Sequence, residues 1–439
     1  MRKLFLAVSA MAFALGVQAQ NVTNSPYSQY GYGKLADQSS GASRGMNGLG
    51  IAVREGNQVN FQNPASYSAT DSLSFIFDAG VSIQMTNFQE GQHKVNANNS
   101  SFDYFIGAFR MFKHVGMAFG AMPFSNVGYN YYSYNTLGQN GSMGTTATIN
   151  TNTYKGDGGL HQVFLGVGVE PLKVKGTSLS LGANVSYLWG RYDKSIINSY
   201  SDDFVNTLSK YYQCNISDLK YDLGVQFQQK FGKKDAITIG ATYSIGHNLH
   251  GTPECLIISE NSQTLVSDTT TYKANGQHAL PTMIGAGAMW NHAGKIRVGV
   301  DYNLEKWGSV KYPIYSVVND QPQYVMTEGL MMDRQKFTLG GEFCANPLSR
   351  TWINRVKYRF GVSYATPYIK VNGHDGPSEI SASVGLGIPI TNGWNNRSTV
   401  NISAKWAQQN ASGLIKENMF MISVGLNFNE RWFAKWLVQ

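Results

Sequence analysis

The feature that most constrains this chain is a strict alternation of apolar with polar or small residues, repeated segment after segment. Across 178–189, Leu179, Leu181, Ala183, Val185, Tyr187 and Trp189 fall on one face, and Ser178, Ser180, Gly182, Asn184 and Ser186 on the other. Across 237–245, Ile237, Ile239, Ala241, Tyr243 and Ile245 oppose Thr238, Gly240, Thr242 and Ser244, and 356–364 repeats the pattern. A period of two belongs to a strand, since successive side chains then point to opposite faces, and a helix cannot use it. Past the first twenty residues no apolar run reaches the roughly 18 residues a helical span needs, which rules out helical membrane crossing. Only 14% of the 439 residues are charged, against about 25% in soluble domains, while Gly numbers 47, Tyr 25 and Phe 22. The class that fits is all-β: a transmembrane antiparallel barrel whose strands alternate lipid-facing and lumen-facing side chains.

About fourteen alternating segments can be counted between 72 and 428, an even number within the range of single-chain outer-membrane barrels. Their connections alternate in length. Short links sit near 113–114, 173–176, 231–234, 292–294 and 391–397, and long ones near 88–100, 133–159, 193–217, 249–278 and 309–334. Short turns mark the periplasmic side, so parity sends both termini to the periplasm and the chain to the outer membrane of a Gram-negative cell. The expected organisation is a signal peptide at 1–19, a plug or hatch at 20–70 folded inside the lumen, a barrel at 71–429 and a periplasmic tail at 430–439. The signal peptide rests on Arg2 and Lys3, the apolar stretch after them, and small residues up to Ala19.

Several function classes are excluded or left without support. The formal charge of +8 comes from Lys and Arg scattered singly, so nucleic acid is not an expected partner. Phosphate-binding loops, metalloprotease motifs, a G-x-S-x-G elbow and Cys-x-x-Cys pairs are missing, so neither an enzyme nor a cofactor is expected. His247 and His250 read as loop polarity rather than metal ligands, and no metal site is expected. Of the three cysteines, Cys214 and Cys255 fall in long outer connections on one side, so the spacing leaves a bridge between them open.

Residues 43–53 read SRGMNGLGIAV, and 59–65 read VNFQNPA directly before the first strand. Together with VGMAFGAMPF at 115–124, this resembles the long-chain fatty acid transporter family (FadL/TodX), and SPYSQYG at 25–31 is similar to its Bacteroidetes type. The resemblance implies a plugged barrel of fourteen strands, a hydrophobic small-molecule ligand of fatty-acid type, and lateral release into the membrane. Some Bacteroidetes members serve protein secretion instead, so a surface platform for partners is the rival reading, and a barrel lipase is a third. The other expected partners are outer-membrane lipid and the barrel assembly machinery, and a monomer is expected.

Candidate residues follow from face and family together. Asn63, Pro64 and Ala65 are expected to gate or anchor the hatch, because Pro fixes the backbone and Asn can cap neighbouring amides. Pro123 removes a ladder donor from strand three, near Gly120 and Phe124, which makes a break in the wall cheap there and the expected lateral exit. Inward Arg297, Glu342, Lys357 and Arg359 either grip a carboxylate headgroup or pin the hatch. Inward Phe164, Met283 and Met289 either line an acyl-chain site or fill the core.

Overall fold

The computed structural model describes residues 23–72, 74–137, 148–318, 320–390 and 398–431. The expected signal peptide at 1–19, the turn at 391–397 and nearly all of the tail at 430–439 lie outside them. Fourteen antiparallel strands among the described residues close into a barrel. These are β1 Ser74–Glu90, β2 His93–Phe112, β3 Val115–Leu137, β4 Thr148–Val174, β5 Thr177–Tyr200, β6 Thr207–Phe231 and β7 Asp235–Ser244. The remainder are β8 Met283–His292, β9 Ile296–Glu305, β10 Arg334–Phe343, β11 Lys357–Ala365, β12 Ser378–Pro389, β13 Thr399–Asn410 and β14 Lys416–Arg431. Closure is between β1 and β14, with Ser74 opposite Arg431 and Gln89 opposite Lys416, so the barrel begins and ends on one side.

The alternation in the sequence is the alternation of the wall. On β4, Val163 and Leu165 are 43% and 56% exposed where they face outward, while Phe164 between them is 2% exposed. Links at one end are tight. Lys175-Gly176 and Ala293-Gly294 both have positive φ at successive positions, the backbone twist that two-residue hairpin turns require.

At the other end the strands differ from expectation. The stretches 133–159 and 193–217 are mostly strand rather than loop: β3 and β4 stay paired out to Leu137 opposite Thr148, and β5 and β6 out to Asn198 opposite Leu208. Strands of 27, 24 and 25 residues far exceed the 9–11 needed to cross a membrane. Beyond the lipid the outward face meets water and the inward face packs in part against the loops above the plug, as at Tyr192, Cys214 and Ile216, so the outward apolar half of the alternation disappears although the backbone ladder continues. A further hairpin, Glu254–Glu260 with Ser267–Lys273, adds to the outer part of β6. Another, Tyr312–Val318 with Gln321–Thr327, stands beside it.

Residues 23–70 run inside the barrel, with a helical turn at Gly41–Arg44 and a 3-10 helix at Pro64–Ala69. The plug fits because its backbone touches the wall where the wall has no side chains. A Cβ at Gly182 would stand 2.5 Å from the Pro64 carbonyl oxygen, and one at Gly168 would stand 2.6 Å from the same atom and 2.9 Å from the Ser68 nitrogen. The inner face that reads as lumen-polar is therefore, over much of its area, a seat for the plug.

Candidate functional site

Four structures inside the barrel bear on function: the plug anchor, an ion network at the tight-turn end, a charged cavity, and a break in the wall. At the anchor, Asn63 is fully buried. Its Oδ1 accepts from the Ala65 amide at 3.1 Å, capping the 3-10 helix, and its Nδ2 donates to the carbonyls of Ile51 at 2.8 Å and Val225 at 3.1 Å. Pro64 supplies the fixed φ that starts this helix. One side chain thus joins two turns of the plug to β6.

Arg297, Glu342, Lys357 and Arg359, expected on the inner face, are brought together. Glu342 is met by Arg359 Nε at 2.7 Å, by Arg297 at 3.4 Å and by Lys357 at 3.5 Å. Glu55 of the plug enters the same cluster, bonded to Arg297 and lying 3.3 Å from Lys357. Three cations surround two carboxylates, one from the wall and one from the plug. Buried charges need such partners, and here the partner ties the plug to β9, β10 and β11. The wall residues were legible as inward charges; Glu55 carried no periodic signal, since the plug has no strand alternation to read.

The apolar candidates divide. Phe164 packs on Phe61 of the plug with ring centroids 4.5 Å apart, and Met289 packs among Met46 and Leu49 of the plug. Both fill plug–wall contacts. Met283 instead borders a cavity of about 290 Å³ between plug and wall.

That cavity is amphipathic. Leu35, Phe124 and Met421 give it apolar wall, while charged groups occupy the rest. Arg334 pairs with Glu305 at 2.9 Å, Lys405 lies 3.8 Å from Asp37 and 4.0 Å from Glu379, and Lys220 pairs with Asp222. Lys336 adds a cation with no ion pair of its own among the described residues. Sequence reading missed this set because its members lie on the plug and on five strands far apart in the chain.

The wall breaks beside the cavity. The β2–β3 ladder runs from Phe112 opposite Val115 only to Phe105 opposite Ala121. Beyond it the freed edge of β3 is taken by the plug: Lys34–Leu35 pairs with Asn126 and Ser125, and the Ala36 amide donates to the Phe124 carbonyl at 3.0 Å. Pro123 sits at this branch point, with its carbonyl accepting from Gln38 Nε2 at 2.8 Å and a bulge at Phe124 in its pairing with β4. Gly120 lies just inside the last ladder pairs, opposite Ile106.

Over the far end, a packed cap closes the lumen. Tyr32, Leu188, Leu249, Leu280 and Trp307 belong to one buried cluster. Tyr192 bonds His278 Nε2 at 2.6 Å, and Lys194 donates to the carbonyls of Gln29 at 2.8 Å and Gly31 at 2.9 Å. Burial, with Lys194 nearby, pushes the His278 pKa down to about 3.

Cys214 and Cys255 are free thiols. Tyr212, not Cys214, lies opposite Cys255, so the two cysteines are diagonal neighbours. Diagonal pairs stand roughly 7–8 Å apart, beyond ordinary disulfide reach. His250 Nδ1 meets Asp218 at 2.7 Å and His247 Nε2 meets it at 3.9 Å, and no group of three metal-capable side chains occurs among the described residues.

A family model described as BamG matches residues 1–438. No curated protein matches the chain in sequence. Among solved structures, the CymD monoaromatic hydrocarbon channel superposes with TM-score 0.58 at 12% identity, covering 92% of this chain and 99% of that one. The P. putida toluene transporter TodX gives 0.58 at 11%, covering 91% and 100%. A FadL homologue of Pseudomonas aeruginosa gives 0.56 at 10%, covering 91% and 99%. At these identities the likeness is one of fold: a FadL-like, plugged outer-membrane barrel.

Proposed function

This chain belongs to the BamG family, and from its FadL-like barrel we propose that it passes an amphipathic, fatty-acid-like small molecule across the outer membrane. Its short turns lie in the periplasm. The observation that carries this reading is the adjacency of cavity and wall break. A chamber with both apolar wall and a cation, Lys336, that has no ion pair among the described residues borders Pro123 and Phe124, where the β2–β3 ladder has ended and only the plug strand covers the edge. A carboxylate head suits Lys336, and the tail suits Leu35, Met283 and Met421. Withdrawal of Lys34–Leu35 from β3 opens a sideways route into the membrane. The structural relatives named for monoaromatic hydrocarbons support the hydrophobic class, and the charged lining argues for a polar head in addition. No catalytic step is part of this reading.

A lock tests it. Leu35 and Ser125 are register partners, so Leu35→Cys with Ser125→Cys joins the plug strand to the wall under oxidation. Uptake of a fluorescent long-chain fatty acid is expected to fall at least tenfold in the oxidised protein and to recover on reduction. Equal uptake in both states, at equal surface levels, refutes the sideways route. Lipid mass spectrometry of solvent-extracted protein tests the ligand class.

A second reading, a platform for a partner protein, is favoured by a different observation. The outer cap is packed solid around Trp307, fully buried, while β4, β5 and β6 continue as sheet well past the lipid. Extended strands of this kind are not needed for passage.

A further inference from the structure

The outer sheet ends in two tips that form one surface. The connection 201–206 joins β5 to β6, and the hairpin Glu254–Glu260/Ser267–Lys273 lies beside it, paired with β6 from Thr207 opposite Glu260 to Gln213 opposite Glu254. Asn206 ties the tips together: its Nδ2 donates to Ser259 Oγ at 3.1 Å, and its Oδ1 accepts from Asn261 Nδ2 at 2.9 Å.

Large apolar side chains stand out from this surface. Phe204 is 79% exposed, Leu265 77% and Val266 65%. They are displayed by ordered turns. Asn261 Oδ1 accepts from the amides of Gln263 and Thr264, each at 3.0 Å, and Leu265 is held at φ +55°, a left-handed conformation uncommon for a bulky residue. Single exposed apolar residues are ordinary, but three large ones on two tips bonded to each other point to an interaction site.

Height and charge identify what covers it. On β6 the lipid-facing series ends near Leu219, which is 40% exposed, and Thr207 lies a dozen residues further out. At about 3.3 Å per residue and a tilt near 45°, the tips stand more than about 20 Å beyond the apolar band, out of reach of acyl chains. Asp202 and Asp203 immediately precede Phe204, Glu260 and Asp268 close the strands on either side of the Leu265 turn, and neither 201–206 nor 260–268 contains a Lys or Arg. An acidic rim repels a second copy of itself and attracts a basic one.

We propose that this double tip is a docking surface for a protein partner that presents an apolar patch bordered by Lys and Arg. The inference rests on the platform reading and is independent of passage through the lumen. Phe204 and Leu265 are its anchors, in the way that a few central apolar residues carry most of a binding energy.

The test is site-specific photo-crosslinking in intact cells, with a benzophenone amino acid at Phe204, at Leu265, and at Val95 on the separate β1–β2 hairpin as control. The expected result is one common protein adduct at the first two positions and not at Val95, with a crosslinked peptide that is apolar and flanked by Lys or Arg. Asp202→Lys with Asp203→Lys is expected to lower the Leu265 adduct at least fivefold, and Phe204→Asn independently to lower it as well. Both variants should keep a heat-modifiable barrel and parental fatty-acid uptake, which separates this proposal from the passage reading. An adduct with a second copy, with lipid, with a peptide lacking basic residues, or no adduct at all overturns it. So does an adduct indifferent to both variants.

Discussion

Replacing Gly182 with Ala tests whether the plug is seated on the bare backbone of the wall. The added Cβ would lie 2.5 Å from the Pro64 carbonyl oxygen and nearer still to the Pro64 carbonyl carbon and the Ala65 nitrogen, where ordinary contact begins at 3.4 Å, so the plug must retreat by at least about 0.9 Å. The neighbour is backbone on both sides of the contact, so no side chain can swing away. Overpacking of this kind costs roughly 1–3 kcal/mol. Retreat at Pro64 also strains the bonds from Asn63 to Ile51 and Val225, each worth about 1 kcal/mol. Reduced freedom of the unfolded chain returns about 0.4–1 kcal/mol. The net expectation is a loss of about 3 kcal/mol, read by urea unfolding in lipid vesicles, with faster amide exchange at 63–69. Gly91→Ala is the control: nothing lies within 4 Å of its Cβ and its φ is +57°, so only local strain of about 1–2 kcal/mol is expected. If Gly182→Ala loses no more than Gly91→Ala, or leaves exchange at 63–69 unchanged, the seat is not where the plug is held.

Ile239→Arg, on the lipid face at 56% exposure, is expected to cost about 2–4 kcal/mol near the midplane. Thr242→Lys, which faces the cavity, should cost much less, and equal losses of heat-modifiable barrel would reverse the face assignment. Glu55→Gln leaves Arg297, Lys357 and Arg359 sharing the one carboxylate of Glu342, and should cost up to about 3 kcal/mol and expose the plug to protease added from the periplasmic side; unchanged protection counts against the network as a latch. His278 titrates low in the folded cap, at about 3, against about 6.5 unfolded. Its contribution is therefore complete above about pH 6.5 and is lost as pH falls, by about 2 kcal/mol at pH 5. Protection factors in the cap, taken relative to the intrinsic exchange rate at each pH, should fall on going from neutral pH to pH 5 in the parent and not in His278→Gln.

The barrel was legible because its rule is local. Lipid on one side and a different environment on the other force a period of two, and Ile237, Ile239 and Ala241 against Thr238 and Gly240 display it without reference to any other strand. Even strand number and the tight turns follow from the same pattern. The inward charges Arg297, Glu342, Lys357 and Arg359 were legible for that reason too. Where the outward face leaves lipid for water the rule lapses, and the outer halves of β4, β5 and β6 read as loop although their ladders continue.

What met the inner face was beyond local reading. Ser180 and Gly182 read as lumen-facing, yet Ser180 is fully buried and Gly182 lies under Pro64, because a segment more than a hundred residues earlier occupies that space. The same holds for Glu55 in the ion network, for the chamber whose charges come from distant strands, and for Lys34–Leu35 completing β3 where β2 leaves it. Alternation along a strand determined which side chains point inward; only closure of the sheet around the plug decided what they touch, since those contacts join residues with no periodic relation in the chain.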